Sequence, residues 1–144
     1  MDNQTVVFTV GNEEYGLPVQ YVKEITLLTD VHPLPQAPFY IQGLINLRGQ
    51  ALPVVNLSKK FDLKNGGPNN LVVITEIKGN LIGLAVEEVK EIRTFEKIEP
   101  RPYLVEVPFI SGIINVKDRL IVMLNPQSLL EEKDIQELME LVEN

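Results

Sequence analysis

Few side chains here are of the types that do covalent or acid–base chemistry, and their spacing joins none of them into a working set. Cysteine is absent, which removes thiolate nucleophiles, disulfides and sulfur-ligated metals. The one histidine, His32, lies in Val31-His32-Pro33-Leu34-Pro35. That is a proline-punctuated loop, where a solvated side chain is expected in place of a base oriented by a third group. Neither a G-x-S-x-G elbow nor a phosphate-binding Gly-Lys-Ser/Thr loop occurs. Glu87 and Glu88 are adjacent acids, but Glu87 answers to Gln20 in an internal repeat, so the pair reads as solvated surface. The other acids gather at the C-terminus without the loop geometry of a calcium site. No catalytic residue, metal ligand or cofactor is expected. The pattern points to binding, not turnover.

Charge narrows the class of partner. The net charge is −7, from 13 basic and 20 acidic residues. Glu131, Glu132, Asp134, Glu137, Glu140 and Glu143 against Lys133 put −5 of that on the last 14 residues. No basic stripe is available to neutralise phosphates, which argues against nucleic acid and anionic lipid. No apolar run approaches the roughly 18 residues of a spanning helix, and Met1-Asp2-Asn3-Gln4 lacks the basic start of a signal peptide. A cytoplasmic protein is expected.

The elements that position these residues are written twice. Gly16-Leu17-Pro18-Val19-Gln20-Tyr21-Val22-Lys23-Glu24-Ile25 returns as Gly83-Leu84-Ala85-Val86-Glu87-Glu88-Val89-Lys90-Glu91-Ile92, a shift of 67. Residues 6–9 answer to 72–75, and residues 40–48 to 109–117. Each copy spans roughly 60 to 70 residues, a size at which a lone core is marginal. The two are therefore expected to pack together as one domain over residues 1–144, with the repeat boundary at the turn-rich segment 64–70.

Within copy one, the β-branched run 5–10 predicts a strand, turned at Gly11-Asn12 into residues 15–19. Pro18 predisposes residues 19–24 to a short helical turn, followed by an extended piece at 25–28. Residues 43–47 and 50–55 predict a hairpin closed at Arg48-Gly49. Pro53 predicts an edge or a bulge for its strand, and Asn56 predicts the cap of a short helix over 57–61. Copy two repeats the order: strands at 71–77 and 81–86, a helical turn to Glu91, an extended 92–95, a hairpin at 112–116 and 120–124, then a helix capped by Asn125. Ile135, Leu138, Met139 and Val142 form one stripe of a terminal helix within a helical segment at 126–144, expected to dock across the body. Asp134 and Glu137 have capping-box spacing. The predicted class is mainly β: two pseudo-symmetric five-stranded β-barrel subdomains, side by side around a shared hydrophobic core, with short helices and a C-terminal helix.

The run from Leu34 to Gly49, then Pro53-Val54-Val55-Asn56-Leu57, resembles the signature of the CheW family. So do Glu14-Tyr15-Gly16-Leu17, Val22-Lys23-Glu24-Ile25 and Gly83-Leu84-Ala85-Val86-Glu87 with Val89. Asn56 stands where that family usually has Asp, and Glu87 where Asp is common. The resemblance covers residues 5–130 and implies a non-enzymatic adaptor of bacterial chemotaxis. Such an adaptor couples chemoreceptor signalling tips to the regulatory domain of the histidine kinase CheA and is recruited to membrane receptor arrays. Because the sequence runs from Met1 to just beyond the fold, a free-standing adaptor is expected in place of a domain of CheA or CheV. The alternatives are an adaptor for a non-chemotaxis signalling system and, from another class, a small-ligand-binding double barrel.

Receptor- or kinase-binding residues implied by the resemblance are Val22, Glu24, Gly43, Arg48, Val89 and Ile92. Val22, Val89 and Ile92 read equally well as core, Gly43 as a backbone requirement, and Arg48 as a solvated hairpin tip. Glu24 and Arg48 are expected to form an ion pair. Lys117, the repeat partner of Arg48, lacks the guanidinium fork, so a bidentate contact is assigned to Arg48 alone. Val22 is expected on one wall of a groove between the copies and Val89 or Ile92 on the other, holding a helical receptor tip.

Overall fold

The structure, a computed structural model, describes residues 3–143. Eleven strands are formed among the described residues: β1 (Gln4–Val10), β2 (Glu13–Pro18), β3 (Val22–Leu27), β4 (Ile41–Leu47), β5 (Gln50–Asn56), β6 (Leu71–Ile77), β7 (Asn80–Val86), β8 (Glu88–Thr94), β9 (Glu99–Pro100), β10 (Ile110–Val116) and β11 (Arg119–Leu124). Two helices accompany them, α1 (Leu57–Lys60) and α2 (Glu132–Glu143), with 3-10 turns at Val19–Tyr21 and Pro126–Ser128.

The sheets do not follow the copies. One has the order β8-β1-β2-β11-β10-β9 and the other β3-β6-β7-β5-β4. Each is thus a hairpin from one copy inserted between strands of the other: β1-β2 completes the copy-two sheet, and β6-β7 completes the copy-one sheet. The side-by-side arrangement of whole copies is corrected accordingly. Residues 64–70 separate the repeats of the sequence, whereas β5 and β6 on either side of them lie in the same sheet. Inserted there, each hairpin is hydrogen-bonded along both edges, β1 to β8 and β2 to β11, β6 to β3 and β7 to β5, and the exchange joins the copies around one core where the core of a lone copy is marginal.

Strand β6 shows what this achieves. Val72 and Ile74 fill the interior of the five-stranded sheet with Ile45, Leu52, Val54 and Ala85, while Val73 and Ile77 face the cluster shared between sheets. That cluster includes Phe8 and Val10 from β1, Leu17 from β2, Val55 from β5, Leu84 from β7 and Leu124 from β11. A third cluster of Val7, Phe95, Ile114, Ile121 and Met123 fills the six-stranded sheet. The repeated Gly-Leu has a steric cause as well. A Cβ on Gly83 would lie 2.5 Å from Val72 Cγ1, and one on Gly16 2.7 Å from Thr5 Cγ2. These glycines sit at matching points of the two parallel pairings, Val54 opposite Gly83 and Met123 opposite Gly16.

Several local expectations change. Residues 22–24 and 88–91 are strand, not helical turn; only Val19–Tyr21 is helical, and only as a 3-10 turn. Lys23 and Lys90 are instead the extra residues of bulges, with Val22 and Glu24 opposite Thr75 and Ile74, and Val89 and Glu91 opposite Phe8 and Val7. Pro53 lies in an interior strand, between β7 and β4. It is tolerated because bonded and non-bonded pairs alternate away from the Leu47–Gln50 closing pair, leaving Pro53 opposite Leu44 at a non-bonded site. Pairing with β7 begins only at Val54.

Asn56 does cap α1, accepting from the Lys59 amide at 3.1 Å, and Asn125 likewise accepts from Gln127 at 3.0 Å. Helix α2 starts before Asp134, whose amide bonds to the Glu131 carbonyl at 3.0 Å. Asp134 is therefore in the first turn, where its charge suits the helix dipole, and is not the cap. Ile135 and Leu138 are buried and Met139 packs on the shared cluster; residue 144 lies outside the described residues. Gln127 donates to the Glu76 carbonyl at 2.7 Å and Lys78 Nζ to the Leu130 carbonyl at 2.9 Å. The segment leaving β11 of one sheet is thus tied to the β6-β7 turn of the other.

Interleaving predicts that fragments 1–66 and 67–144 are each unfolded alone by circular dichroism and recover native β signal when mixed. Independent sharp melting of either fragment would contradict the interleaved core.

Candidate functional site

Five of the six residues singled out from the sequence fall on strands at the margins of the two sheets, and the sixth, Arg48, on a turn beside one of them. Val22 and Glu24 lie on β3 and Gly43 on β4, the two edges of the five-stranded sheet; Val89 and Ile92 lie on β8, an edge of the other. Arg48 sits in the turn between β4 and β5. Edge strands have backbone groups without sheet partners and are where a second chain finds purchase.

Arg48 and Glu24 meet as expected. Nη2 lies 2.7 Å from Oε1 and Nη1 3.1 Å from Oε2, a two-bond fork. The turn that aims the guanidinium has positive φ at both Arg48 (49°) and Gly49 (87°), as a two-residue hairpin with matching twist requires. Asn46 Oδ1 accepts from the Gly49 amide at 2.7 Å and fixes it. On the other side, the Lys23 bulge re-aims Glu24. In a flat sheet β3 and β4 would stand roughly 19 Å apart at four strand spacings, so the contact requires the sheet to curl until its edges approach. The Arg48 hydrogen bond, opposed by desolvation and assisted by the guanidinium charge, holds the Glu24 carboxyl below its usual value.

Gly43 has a structural explanation. Its φ is +149°, and a Cβ there would collide with the carbonyl oxygen of His32 and lie 2.8 Å from Val31 Cγ1. The loop before β4 comes this close because His32 exchanges both backbone bonds with Leu44, at 2.8 and 2.7 Å. Gly112 serves the same end in copy two, where a Cβ would lie 2.6 Å from the Glu99 carbonyl oxygen. His32 is therefore a backbone strap, and Gly43 makes room for it.

Val22 and Val89 are half-buried against the cluster between the sheets, whereas Ile92 is 54% exposed. The structure joins Glu24 to Arg48 directly and brings Val22 and Val89 to one cluster. The principal clefts are lined by other residues, such as Thr9, Asn12, Asn70 and Lys90 in one case. Glu87 accepts from the amides of Asn12 and Gly67, so it fastens segment 64–70 to the first hairpin turn.

Sequence reasoning missed a second ionic site. Glu91, the repeat partner of Glu24, lies 2.8 Å from Nη2 of Arg119. The same guanidinium grips Glu14 through Nη2 at 2.7 Å and Nε at 3.2 Å. The two-bond contact does not belong to Arg48 alone: the fork that Lys117 lacks is supplied two residues later. Glu91 at the shift of 67 was the available signal.

Since the folded-state pKa of Glu24 is depressed, the pair is present above the unfolded glutamate value and is lost as pH falls through the folded one. Carboxyl NMR should find Glu24 titrating below the usual glutamate range, and Arg48→Ala should return it there with little change in thermal midpoint, the pair being exposed. A normal Glu24 titration in the unmodified chain would contradict the pairing.

Comparison with known proteins places this geometry. The family model described as CheW-like domain matches residues 4–134. The chemotaxis protein CheW of Rhizobium meliloti (strain 1021) is 30% identical over 138 residues, covering 91% of this chain and 89% of the relative. That of Treponema pallidum (strain Nichols) is 29% identical over 146 residues, covering 94% and 86%. The crystal structure of the scaffolding protein TtCheW from Thermoanaerobacter tengcongensis superposes with a TM-score of 0.84 at 32% identity, covering 93% of this chain and 91% of that one. An interleaved pair of β subdomains with a matching family model along nearly its whole length makes this chain a member of the CheW-like domain family.

Proposed function

We propose that this protein is a non-enzymatic coupling adaptor of chemotaxis, joining the regulatory domain of the kinase CheA to the cytoplasmic tip of a chemoreceptor. The observation that carries this reading is the likeness along nearly the full chain to a scaffolding CheW protein. Among the described residues no cluster of His, Asp and Glu could hold a metal ion. No described helix is long and apolar enough to cross a membrane; recruitment to receptor arrays through protein contacts is part of the proposal.

The receptor tip is assigned to the margins carrying Val22, Val89 and Ile92, with Arg48 and Glu24 at the rim. A helical tip with an apolar face would bury against the aliphatic residues while its charged residues meet the ion pair. Gly43 contributes by holding β4 and its turn, not by contact.

Co-purification with a CheA regulatory domain and a receptor tip, separately and together, tests this. Burial of one such aliphatic side chain contributes about 1.5–3 kcal/mol, roughly ten- to hundredfold in affinity. Val22→Asp and Val89→Asp are each expected to lose receptor-tip binding by at least that factor while remaining folded and bound to CheA. Unchanged tip affinity in both folded variants, or unfolding of both, would overturn the assignment.

A further inference from the structure

We propose that Arg119 is the positioning residue of the β8 margin: through Glu91 it holds that strand, and with it Val89 and Ile92, as Arg48 holds β3 through Glu24. This rests on the reading that Val89 and Ile92 face the receptor tip.

The repeat supplies the first argument. Val22, Lys23, Glu24 and Ile25 correspond to Val89, Lys90, Glu91 and Ile92 at the same shift of 67. In both copies the lysine is the extra residue of a bulge, and the glutamate after it meets an arginine from the following hairpin. Two bulges at equivalent places, each re-aiming a glutamate toward a guanidinium, are one device used twice.

The second argument is where the two uses differ. Glu14 occupies the place that Leu81 takes at the same shift, so Arg119 has two carboxylates where Arg48 has one. β11 runs parallel to β2, with Ile121 opposite Glu14. Glu14 therefore fixes the arginine from the adjacent strand through Nε and Nη2, and the same Nη2 also reaches Glu91 on β8. The Arg119 side chain is 32% exposed against 71% for Arg48. Its hydrogen bond lowers the Glu14 pKa, with a smaller contribution from Lys90. With two acids already on one guanidinium, Arg119 has little to offer an acidic group on a partner, whereas Arg48 lies open. The two pseudo-equivalent margins are thereby chemically distinct: β8 presents apolar residues on an anchored strand, and β3 presents apolar residues beside an accessible arginine.

The test uses the full chain with Arg119→Ala, Arg119→Lys and Glu91→Gln, read by amide hydrogen exchange and by binding to a receptor-tip peptide. Arg119→Ala is expected to speed exchange of the protected β8 amides about tenfold, with β3 unchanged, as a local opening does. Glu91→Gln should speed β8 exchange too, by no more than Arg119→Ala, which also removes the Glu14 contacts, and the double variant should match Arg119→Ala alone, since both break the Arg119–Glu91 contact. Arg119→Lys should recover part of the loss, because an ammonium cannot fork between two carboxylates. Tip affinity should fall in parallel with β8 exchange. Unchanged β8 exchange, or equal acceleration in β3 and β8, overturns the proposal. If Arg119→Ala does not fold, Glu91→Gln decides it by the same exchange reading. A tip peptide that fails to bind the unmodified chain rejects the adaptor reading alone, because the exchange comparison stands without it.

Discussion

The apolar cluster around Phe8, Leu17, Val55, Val73 and Leu84 is the constraint on which the rest depends, because both sheets, α1 and the terminal helix bury against it. A repeat of roughly 65 residues with strands of six or seven residues has too little interior to be stable alone. Exchanging hairpins solves this without adding chain. Each hairpin gains a strand on both edges, one of its faces fills its sheet, and the other reaches the shared cluster. The glycines at positions 16 and 83 follow from the same crowding, since they sit where strands of different copies run parallel at close approach.

Hydrogen bonding leaves the margins of the curled sheets incomplete, and charge takes over there. Arg48 with Glu24 and Arg119 with Glu91 span the gap between strands that are not neighbours in either ladder. Such pairs contribute little to global stability when exposed. Their effect is geometric: the two-bond contact of Arg48 with Glu24 fixes both distance and direction, and Arg119, itself held by two bonds to Glu14, reaches Glu91 through Nη2. The valines and the isoleucine lie on the same bulged strands as the glutamates, so whatever orients the acids also orients the apolar residues. Stability thus comes from the interior and presentation from the margins, which allows a margin residue to change binding while the fold persists.

Much of this was legible in the sequence, and the failures have identifiable causes. The repeat, the hairpin turn at Arg48-Gly49 and the caps at Asn56 and Asn125 are reported by the sequence pattern itself, whereas the Glu24–Arg48 pair joins residues 24 positions apart and was implied by the family resemblance. Which copy supplies each hairpin does not, because either pairing buries the same alternation. Val22-Lys23-Glu24 reads as part of a helical turn because Pro18 favours one; the structure makes it strand with Lys23 in a bulge. Pro53 predicts an edge or a bulge by a rule about missing donors, which an interior strand satisfies when the proline falls at a non-bonded site. Arg119 escaped notice because strict repeat alignment pointed to Lys117, although side-chain reach, not alignment, decides which cation meets Glu91.

The central claim is that each subdomain is assembled from both copies, and backbone amide NOEs in isotope-labelled protein test it most directly. Interleaving predicts cross-strand contacts between the backbones of Val55 and Leu84 and of Val122 and Tyr15, which face each other in the two parallel pairings. Copies folded side by side would instead put the Val55 backbone against Leu17, the repeat partner of Leu84. Observing that contact, with none between Val55 and Leu84, would contradict the account.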